Sequence, residues 1–567
     1  MRGSDSNRTR TVFVEGPERH WQTARLGGLK LHLRPCGSAL KASDVAASLA
    51  DAFREAAPDW TKVKRALASI EGRFILVLIG SDWVLGAVDR IRSAPLLYAT
   101  AADGNARIGM HAPSVAAAAG LDRINPDGAL ALAMGGFTVG DATLYSGLRQ
   151  LRPGEAVLQH FGRAAETGFY AQWRPWQEND PDPATLHRRL SDVTLDVVER
   201  TRAMAGGREI VVPLSAGYDS RVLVAALKVL GAPNVRCFAY GPPGCSEVET
   251  SRAVAERLGY PWRHVAVSPG AVRRGFMSPL FLNFMDFADS GCATPFVQDL
   301  FVLETLMKDG WLPRDAVIVN GQSGDFVSGN HVPDAINALA LDGSMPADAD
   351  ARAPLFAALQ RKHFSLWESL RRSSDVARID ALLEAQIAAT SAPPPTAANA
   401  PALFEHLEFM DRQSKYTIAG QRSYEYFGFD WSLPLWDDPY LAFWEAVPRP
   451  ARRSQALYRT VLRETDWGGV WHSIPLNQKR VRPVWAAAVR GFAKPFFAFL
   501  PRRMWRRFEK NAIEYWTDVV ANYGVQSYAR VLSDRRGHRN AISWLTEAYL
   551  ARHALAWDGS PLKRLAA

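Results

Sequence analysis

Apolar positions along the chain follow three patterns. Up to about Glu178 they form short runs, Phe74-Ile-Leu-Val-Leu-Ile79 and Trp83-Val-Leu-Gly-Ala-Val88, parted by the polar pair Ser81-Asp82. Two such runs around a two-residue polar break predict a hairpin in a β-rich layered domain. Helical patterns around Ala46–Ala56 and Asp127–Met134 are expected to pack on its sheets. The Asp- and Pro-rich stretch Gln177 to Pro183 then reads as a linker.

The second pattern alternates. A helix from about Ala184 to Met204 leads to an apolar strand, Glu209–Pro213, then a turn and a helix over Ser220–Leu230. A strand Arg236–Tyr240, a helix Glu247–Leu258 and a strand near Trp262–Val267 follow. Strand and helix in alternation predict a parallel sheet covered on both faces. The Ala/Pro/Thr-rich segment Ala385 to Pro401 is expected to be a mobile surface loop. Beyond it the chain reads as helical and rich in Trp and Arg, and no internal repeat is visible.

Composition narrows the class. With 567 residues, 47% hydrophobic and 22% charged, the chain is a multi-domain globular protein with a core of ordinary size. A net charge of +9 is modest for this length. It suits an anionic substrate better than nucleic acid, which calls for a denser basic face. Cys36, Cys237, Cys245 and Cys292 lie far apart without CxxC spacing, which argues against a disulfide framework or structural zinc. Met1 to Arg10 is polar and basic with no apolar run behind it, so no signal peptide is expected. The longest apolar stretch, Val484 to Leu500, is broken by Arg490, Lys494 and Pro495 and falls short of the roughly 18 residues of a membrane span. A cytoplasmic protein is expected.

The sharpest local signal is Val212-Pro-Leu-Ser215-Ala-Gly217-Tyr-Asp219-Ser220-Arg221, where an apolar strand gives way to a helix. Ala216 and Gly217 allow close backbone approach to an anion. Ser215 and Ser220 add hydroxyl donors, and the new helix adds free N–H groups. Asp219 suits Mg2+ rather than bare phosphate. No Lys occupies the turn, so this is not the G-x-x-x-x-G-K-[ST] loop.

This loop resembles the S-G-G-x-D-S loop of the asparagine synthase family, a branch of the N-type ATP pyrophosphatases, with Ala216 in place of the first Gly. Four further segments match in the family's order. They are Tyr240-Gly241 with Glu247 and Ala255-Glu-Arg-Leu-Gly259; Val319-Asn-Gly321-Gln-Ser-Gly-Asp325-Phe-Val-Ser-Gly329; Phe427-Gly-Phe-Asp430-Trp-Ser-Leu-Pro434-Leu-Trp-Asp437; and Gln478-Lys479. The resemblance implies an N-terminal layered α/β/β/α amidotransferase-like domain over 1–178. An α/β parallel-sheet domain of adenine nucleotide α-hydrolase-like (PP-loop) type follows over 184–480, with a helical basic and aromatic extension over 481–567. It implies ATP and Mg2+, with Asp219 and Asp325 as metal ligands and Lys479 on pyrophosphate and the transition state. Leu214, Ser215, Ala216, Gly217, Tyr218, Ser220, Asn320 and Gly321 would line the nucleotide site. The implied reaction is adenylation of a small-molecule or sugar carboxylate, then attack by ammonia or an amine.

Departures from the family pattern matter as much. Glutamine-using members carry Cys at position 2, where this chain has Arg2. Glu71-Gly72-Arg-Phe74, Val88-Asp89-Arg90-Ile-Arg-Ser-Ala-Pro95-Leu-Leu-Tyr98 and Leu151-Arg-Pro153-Gly154 nevertheless resemble that domain's scaffold. Cys36 lacks the free α-amino group that would serve as base and reads as a buried hydrophobe. Loss of glutaminase chemistry is the expectation. Gln322 stands where a Glu takes a proton from the amine, and Phe326 replaces a second acid; His331 and Glu425 are the substrate-side stand-ins considered beside Gln322. The wording of the Asp89 and Ser323 segments resembles a bacterial subgroup associated with surface polysaccharides. Alternatives are a non-catalytic nucleotide-binding scaffold, or a macrolactam synthetase of lasso-peptide or β-lactam type. A homodimer is considered, with no nucleic-acid partner. The stretch Arg502-Arg-Met-Trp505-Arg-Arg507-Phe-Glu-Lys510 reads as a solvated helix face, with contact to a membrane surface as the alternative.

Overall fold

The computed structural model describes residues 12–17, 20–53, 58–177, 182–343, 345–476, 481–557 and 563–564. Met1 to Arg10, the end of the helix expected to reach Ala56, much of the expected linker, and Gln478 and Lys479 lie outside them.

The predicted hairpin is present: Phe74–Ile79 and Trp83–Val88 pair antiparallel, with Ile79 opposite Val84. They sit inside a six-stranded antiparallel sheet ordered Glu166–Phe169, Glu155–His160, Trp83–Val88, Phe74–Ile79, Leu29–Pro35, Gln22–Leu26. Alternation decides what each face meets. Phe74, Leu76, Leu78 and Leu85 pack on Val45, Leu49, Val63 and Leu67 of the helices Ala42–Leu49 and Trp60–Ala68. The opposite residues, Ile75, Val77, Val84 and Val88, join Tyr98 and Ile108 of a second, four-stranded sheet. Leu97 and Ala99, on that sheet's far side, meet Val115, Ala116 and Ala119 of the helix Ala112–Ala119. The order is therefore α/β/β/α, as expected.

The helix Pro126–Gly135 departs from expectation. It packs against the helices Ser373–Ala388 and Ala541–Arg552. Every residue from Gly128 to Met134 is buried. A helix apolar all round has no stripe to lay on a sheet and needs cover on several sides.

The second region holds a five-stranded parallel sheet ordered Trp262–Ala266, Val235–Gly241, Ile210–Pro213, Val317–Val319, Asp430–Ser432. The helices Pro183–Ala205, Asp219–Val229 and Ser246–Leu258 fall where the alternation puts them. The chain builds outward from Ile210–Pro213 to one edge, then returns to lay Val317–Val319 on the other side. Ile210–Pro213 and Val317–Val319 thus flank the point where strand order reverses, and the connections leaving their carboxyl ends diverge to form a crevice.

The Ala385–Pro401 segment is pinned, contrary to the expected mobile loop. Ala397 and Ala398 N–H groups donate to the carbonyls of Ala349 and Ala347, Ala351 N–H donates to Pro395, and Asn399 bridges Pro394 and Thr396. Pro393-Pro-Pro395 cannot donate backbone bonds, but its carbonyls still accept them.

Arginines of the layered part reach into the parallel-sheet part. Arg34 meets Glu425 at 2.8 Å, and Arg422 meets the same carboxylate at 2.6 Å. Arg73 donates to Leu433 O and Ser432 Oγ, and Arg92 to Leu151 O and Ser414 O. Burial opposes the charge of Glu425, but Arg34 and Arg422 outweigh it and hold its carboxyl at about 2. A carboxyl depressed in the folded state contributes stability above its unfolded value of roughly 4.3, lost as pH falls toward 2. Glu425→Gln leaves two buried guanidiniums without their carboxylate and should cost roughly 3–5 kcal/mol. The expected readout is a lower urea midpoint at pH 7, with the difference from wild type shrinking as pH approaches 2.

Candidate active site

Both strands flanking the crevice end in tight connections. After Pro213 the chain turns through Leu214 to Tyr218 into the helix Asp219–Val229. Ser215 N–H donates to Ser220 Oγ at 2.8 Å, the two hydroxyls lie 3.0 Å apart, and Gly217 N–H donates to Ser215 Oγ. The backbone at Ala216 does not take a positive φ, so the Gly-to-Ala departure costs no strain there. Ala216 N–H donates to Glu247 Oε1 at 2.9 Å, which ties the turn to the helix Ser246–Leu258.

After Val319 the second connection runs through Asn320, Gly321, Gln322 and Ser323 to Asp325. It lies hard against the first. A Cβ on Gly321 would stand 2.6 Å from Ser220 N, and one on Gly324 would stand 2.7 Å from Asp219 Oδ1. Glycine at these two places is what allows Asp219 and Asp325 to stand together. The Asp325 N–H donates to Asp219 Oδ2 at 2.9 Å, and Tyr458 donates to Asp219 Oδ1 at 3.3 Å. Burial, and after it the charge of Asp325, pushes the Asp219 carboxyl well above its usual range. Two facing carboxylates fit a hard, oxygen-seeking dication, which relieves their repulsion. Among the described residues no group of three or more acidic, His or Cys side chains forms a fuller metal cage. Mg2+ commonly takes one or two carboxylates and completes its sphere with phosphate and water.

Asp325 is held from behind. His331 Nε2 lies 3.1 Å from Asp325 Oδ2, and His331 Nδ1 bonds Glu408. Glu408 is fully buried and also takes bonds from Lys362 at 3.0 Å, His363 at 2.9 Å and Gln413 at 2.8 Å. Burial pulls His331 down, but Glu408 and Asp325 outweigh it and hold the imidazole at about 9. The ring thus spans Asp325 and Glu408 and braces the Asp325 carboxylate. Phe326, where the family pattern has an acid, is buried and stacks on Trp436 with ring centroids 5.6 Å apart. Gln322 Oε1 accepts from Gln421 at 3.0 Å, which fixes its amide beside the crevice. Glu425 is placed elsewhere, between Arg34 and Arg422 at the interface with the layered part. Cys36 is buried, and burial pushes its thiol far up.

Two cavities share Ser215, Asp219 and Asp325. The larger, about 830 Å3, is bounded by Gly217, Tyr218, Asn330, Arg459, Arg463 and Leu476, among others. The smaller, about 450 Å3, takes in Leu214, Ser220, Asn320, Gly321, Gln322 and Glu247. Val519 and Val520, from the C-terminal extension, close its rim. A third cavity of about 260 Å3 includes His331, Lys362, His363, Arg412 and Arg539, and no carboxylate lines it. Arg221 is buried and donates to Val470 O, Ile474 O and Ala216 O, tying the loop to the chain that leads to Leu476. Lys479 follows three residues later, outside the described residues.

Sequence reading found the loop and both aspartates but missed Glu408, Lys362, Arg412, Arg459 and Arg463. No local motif surrounds the first three. Arg459 and Arg463 could have been found from their i, i+4 spacing on the helix Ala456–Thr465.

The fold and site define a parallel α/β protein with a serine-lined turn and two adjacent aspartates at its switch point. Residues 195–465 match the family model described as asparagine synthase, so this stretch of the chain is an asparagine synthase-like domain. No curated protein matches. Among solved structures, that of "the allosteric regulatory enzyme of purine biosynthesis" is 10% identical over 44% of this chain and 62% of its own, with a TM-score of 0.18. Glutamine phosphoribosylpyrophosphate amidotransferase from B. subtilis, complexed with ADP and GMP, is 11% identical over 45% of this chain and 74% of its own, again at 0.18. The chain therefore spans less than two thirds of the first of them.

Asp219→Asn keeps an acceptor for the Asp325 N–H while removing one of two facing charges. Its melting temperature without ligand is expected to equal or exceed wild type, and the rise produced by Mg-ATP is expected to vanish. Both are read from one thermal-shift titration.

Proposed function

We propose that this protein is an ATP-dependent, AMP- and pyrophosphate-forming amide ligase that does not hydrolyse glutamine. The observation carrying this reading is the convergence of the anion-binding turn, Asp219 and Asp325 on adjoining cavities at one sheet edge. The substrate carboxylate attacks the α-phosphorus of ATP, the bond to pyrophosphate breaks, and an acyl-adenylate forms. Ammonia or an amine then attacks the acyl carbon, giving the amide and AMP with loss of one proton.

Mg2+, held by Asp219 and Asp325, would neutralise charge on the triphosphate. The backbone N–H groups at the start of the helix Asp219–Val229, the Ser215 and Ser220 hydroxyls and Lys479 hold the departing pyrophosphate. Arg459 and Arg463 extend that positive wall. Positioning and fixed electrostatics supply most of the acceleration. The third cavity, where Arg412 and Arg539 stand beside the Glu408-paired Lys362, would suit an acyl substrate that carries negative charge beyond the activated carboxylate. Gln322 is neutral, so the amine's proton leaves to solvent or to the departing phosphate rather than to a carboxylate at that place.

Release of AMP and pyrophosphate from Mg-ATP is measured with ammonium present, comparing aspartate with uronic acids and nucleotide-linked uronates. Release that depends on one carboxylate, and no turnover with glutamine as sole nitrogen source, is expected. ATP binding without release across the panel would favour a non-catalytic nucleotide binder. Lys479→Met is expected to lower kcat about 100- to 1,000-fold while Mg-ATP still binds.

A further inference from the structure

Exposed apolar side chains are concentrated in one place. Of twelve large hydrophobic residues exposed among the described residues, eight lie between Val484 and Met504. The helix Val484–Phe496 presents Trp485, Val489, Phe492 and Phe496 at spacings of four, three and four residues, one continuous face. Phe492 and Phe496 are each 79% exposed, and Phe499, just past the helix, is 96% exposed. The chain then reverses. Phe497 packs against Trp505 at 5.5 Å and Phe508 at 5.1 Å, so the helix Arg502–Phe508 folds back and leaves Phe496, Phe499 and Leu500 at the tip of a helical hairpin.

The hairpin is ordered by its base rather than by its apolar face. Ala486 is buried, Trp485 contacts Trp516 at 5.6 Å, Arg490 pairs with Glu509, and Arg482 donates to Gly244 O. That last contact roots it on the loop after the strand Val235–Gly241, at the same sheet edge as the candidate active site. Water is a poor neighbour for such a face, and isolated exposed residues do not explain a stripe.

Charge decides what covers it. From Val481 to Phe508 the sequence has seven cations, Arg482, Arg490, Lys494, Arg502, Arg503, Arg506 and Arg507, and no Asp or Glu. A second copy of this chain would bring the same cations against these, which repel. An anionic lipid surface offers hydrocarbon for the aromatics and phosphate for the guanidiniums together. No helix of the described residues is long and apolar enough to cross a membrane, so the hairpin would lie in the interface plane. We infer that the Val484–Phe508 hairpin docks this protein onto the surface of an anionic bilayer, holding the sheet edge that bears Asp219 and Asp325 beside it. The inference is independent of the reaction assigned to that edge.

The test is flotation of the full-length protein with vesicles of phosphatidylcholine alone or mixed equally with phosphatidylglycerol, at low and high salt. Wild type is expected to float with the mixed vesicles and to be released, at least in part, by high salt. The triple variant Phe492→Ser, Phe496→Ser, Phe499→Ser alters solvent-facing side chains only. It should lose at least tenfold in bound fraction while its Mg-ATP binding and melting temperature stay at wild-type values. Arg502→Ser with Arg503→Ser and Arg506→Ser should lose the preference for phosphatidylglycerol. Equal flotation of wild type and the phenylalanine variant would overturn the inference. So would wild type that ignores both vesicles, whether monomeric or self-associated through the hairpin in analytical ultracentrifugation.

Discussion

The close approach of two strand connections at the sheet's switch point is the constraint on which the site depends. Ile210–Pro213 and Val317–Val319 are neighbours whose chains leave in opposite directions, so their carboxyl ends open a crevice. Gly321 and Gly324 let the second connection press against the first until Asp325 N–H reaches Asp219. Two like charges in a buried place are unfavourable by themselves. A cation placed between them would relieve that repulsion.

Everything around that pair serves to hold it. His331 fixes Asp325 and is fixed by Glu408, whose burial is made tolerable by Lys362, His363 and Gln413. These residues come from the helix Arg352–His363 and from the segment Phe409–Thr417, wound as a π-helix, which brings Arg412, Gln413 and Lys415 to one neighbourhood. Lys415 reaches further, to the carbonyls of Thr138 and Gly140 in the N-terminal part. With Arg34, Arg73 and Arg92 it makes the layered part a buttress for the parallel sheet. The Glu71–Phe74 segment thus contributes to the interface: Arg73 reaches Leu433 and Ser432 across it.

The strands Ile210–Pro213, Val235–Gly241 and Trp262–Ala266 and the helices between them were legible to within a residue or two because each buries one apolar face or run, whereas Val317–Val319 and Asp430–Ser432 were not read as strands. The turn at Ser215 and the aspartates at 219 and 325 were legible because their chemistry is compressed into short segments. The support network was not, because Glu408 and Lys362 gain meaning only from contacts between distant segments. Local composition misled once. Ala and Pro around Pro393–Pro395 suggested mobility, yet carbonyls there accept bonds from Ala351 and Asn399. Alternating cations and aromatics at Arg502–Lys510 suggested a helix with its rings packed inward. Trp505 and Phe508 do pack on Phe497, but the aromatics just before them face water.

In the proposed reaction Asp219 and Asp325 together receive the metal that accompanies a nucleoside triphosphate. That role is tested most directly by anomalous diffraction from crystals grown with Mn2+ and a non-hydrolysable ATP analogue. An anomalous peak is expected within coordination distance of both carboxylates, with the analogue's phosphates against the Ser215–Ser220 turn. Phosphates seated away from that turn, or manganese bound without either aspartate, would contradict that role.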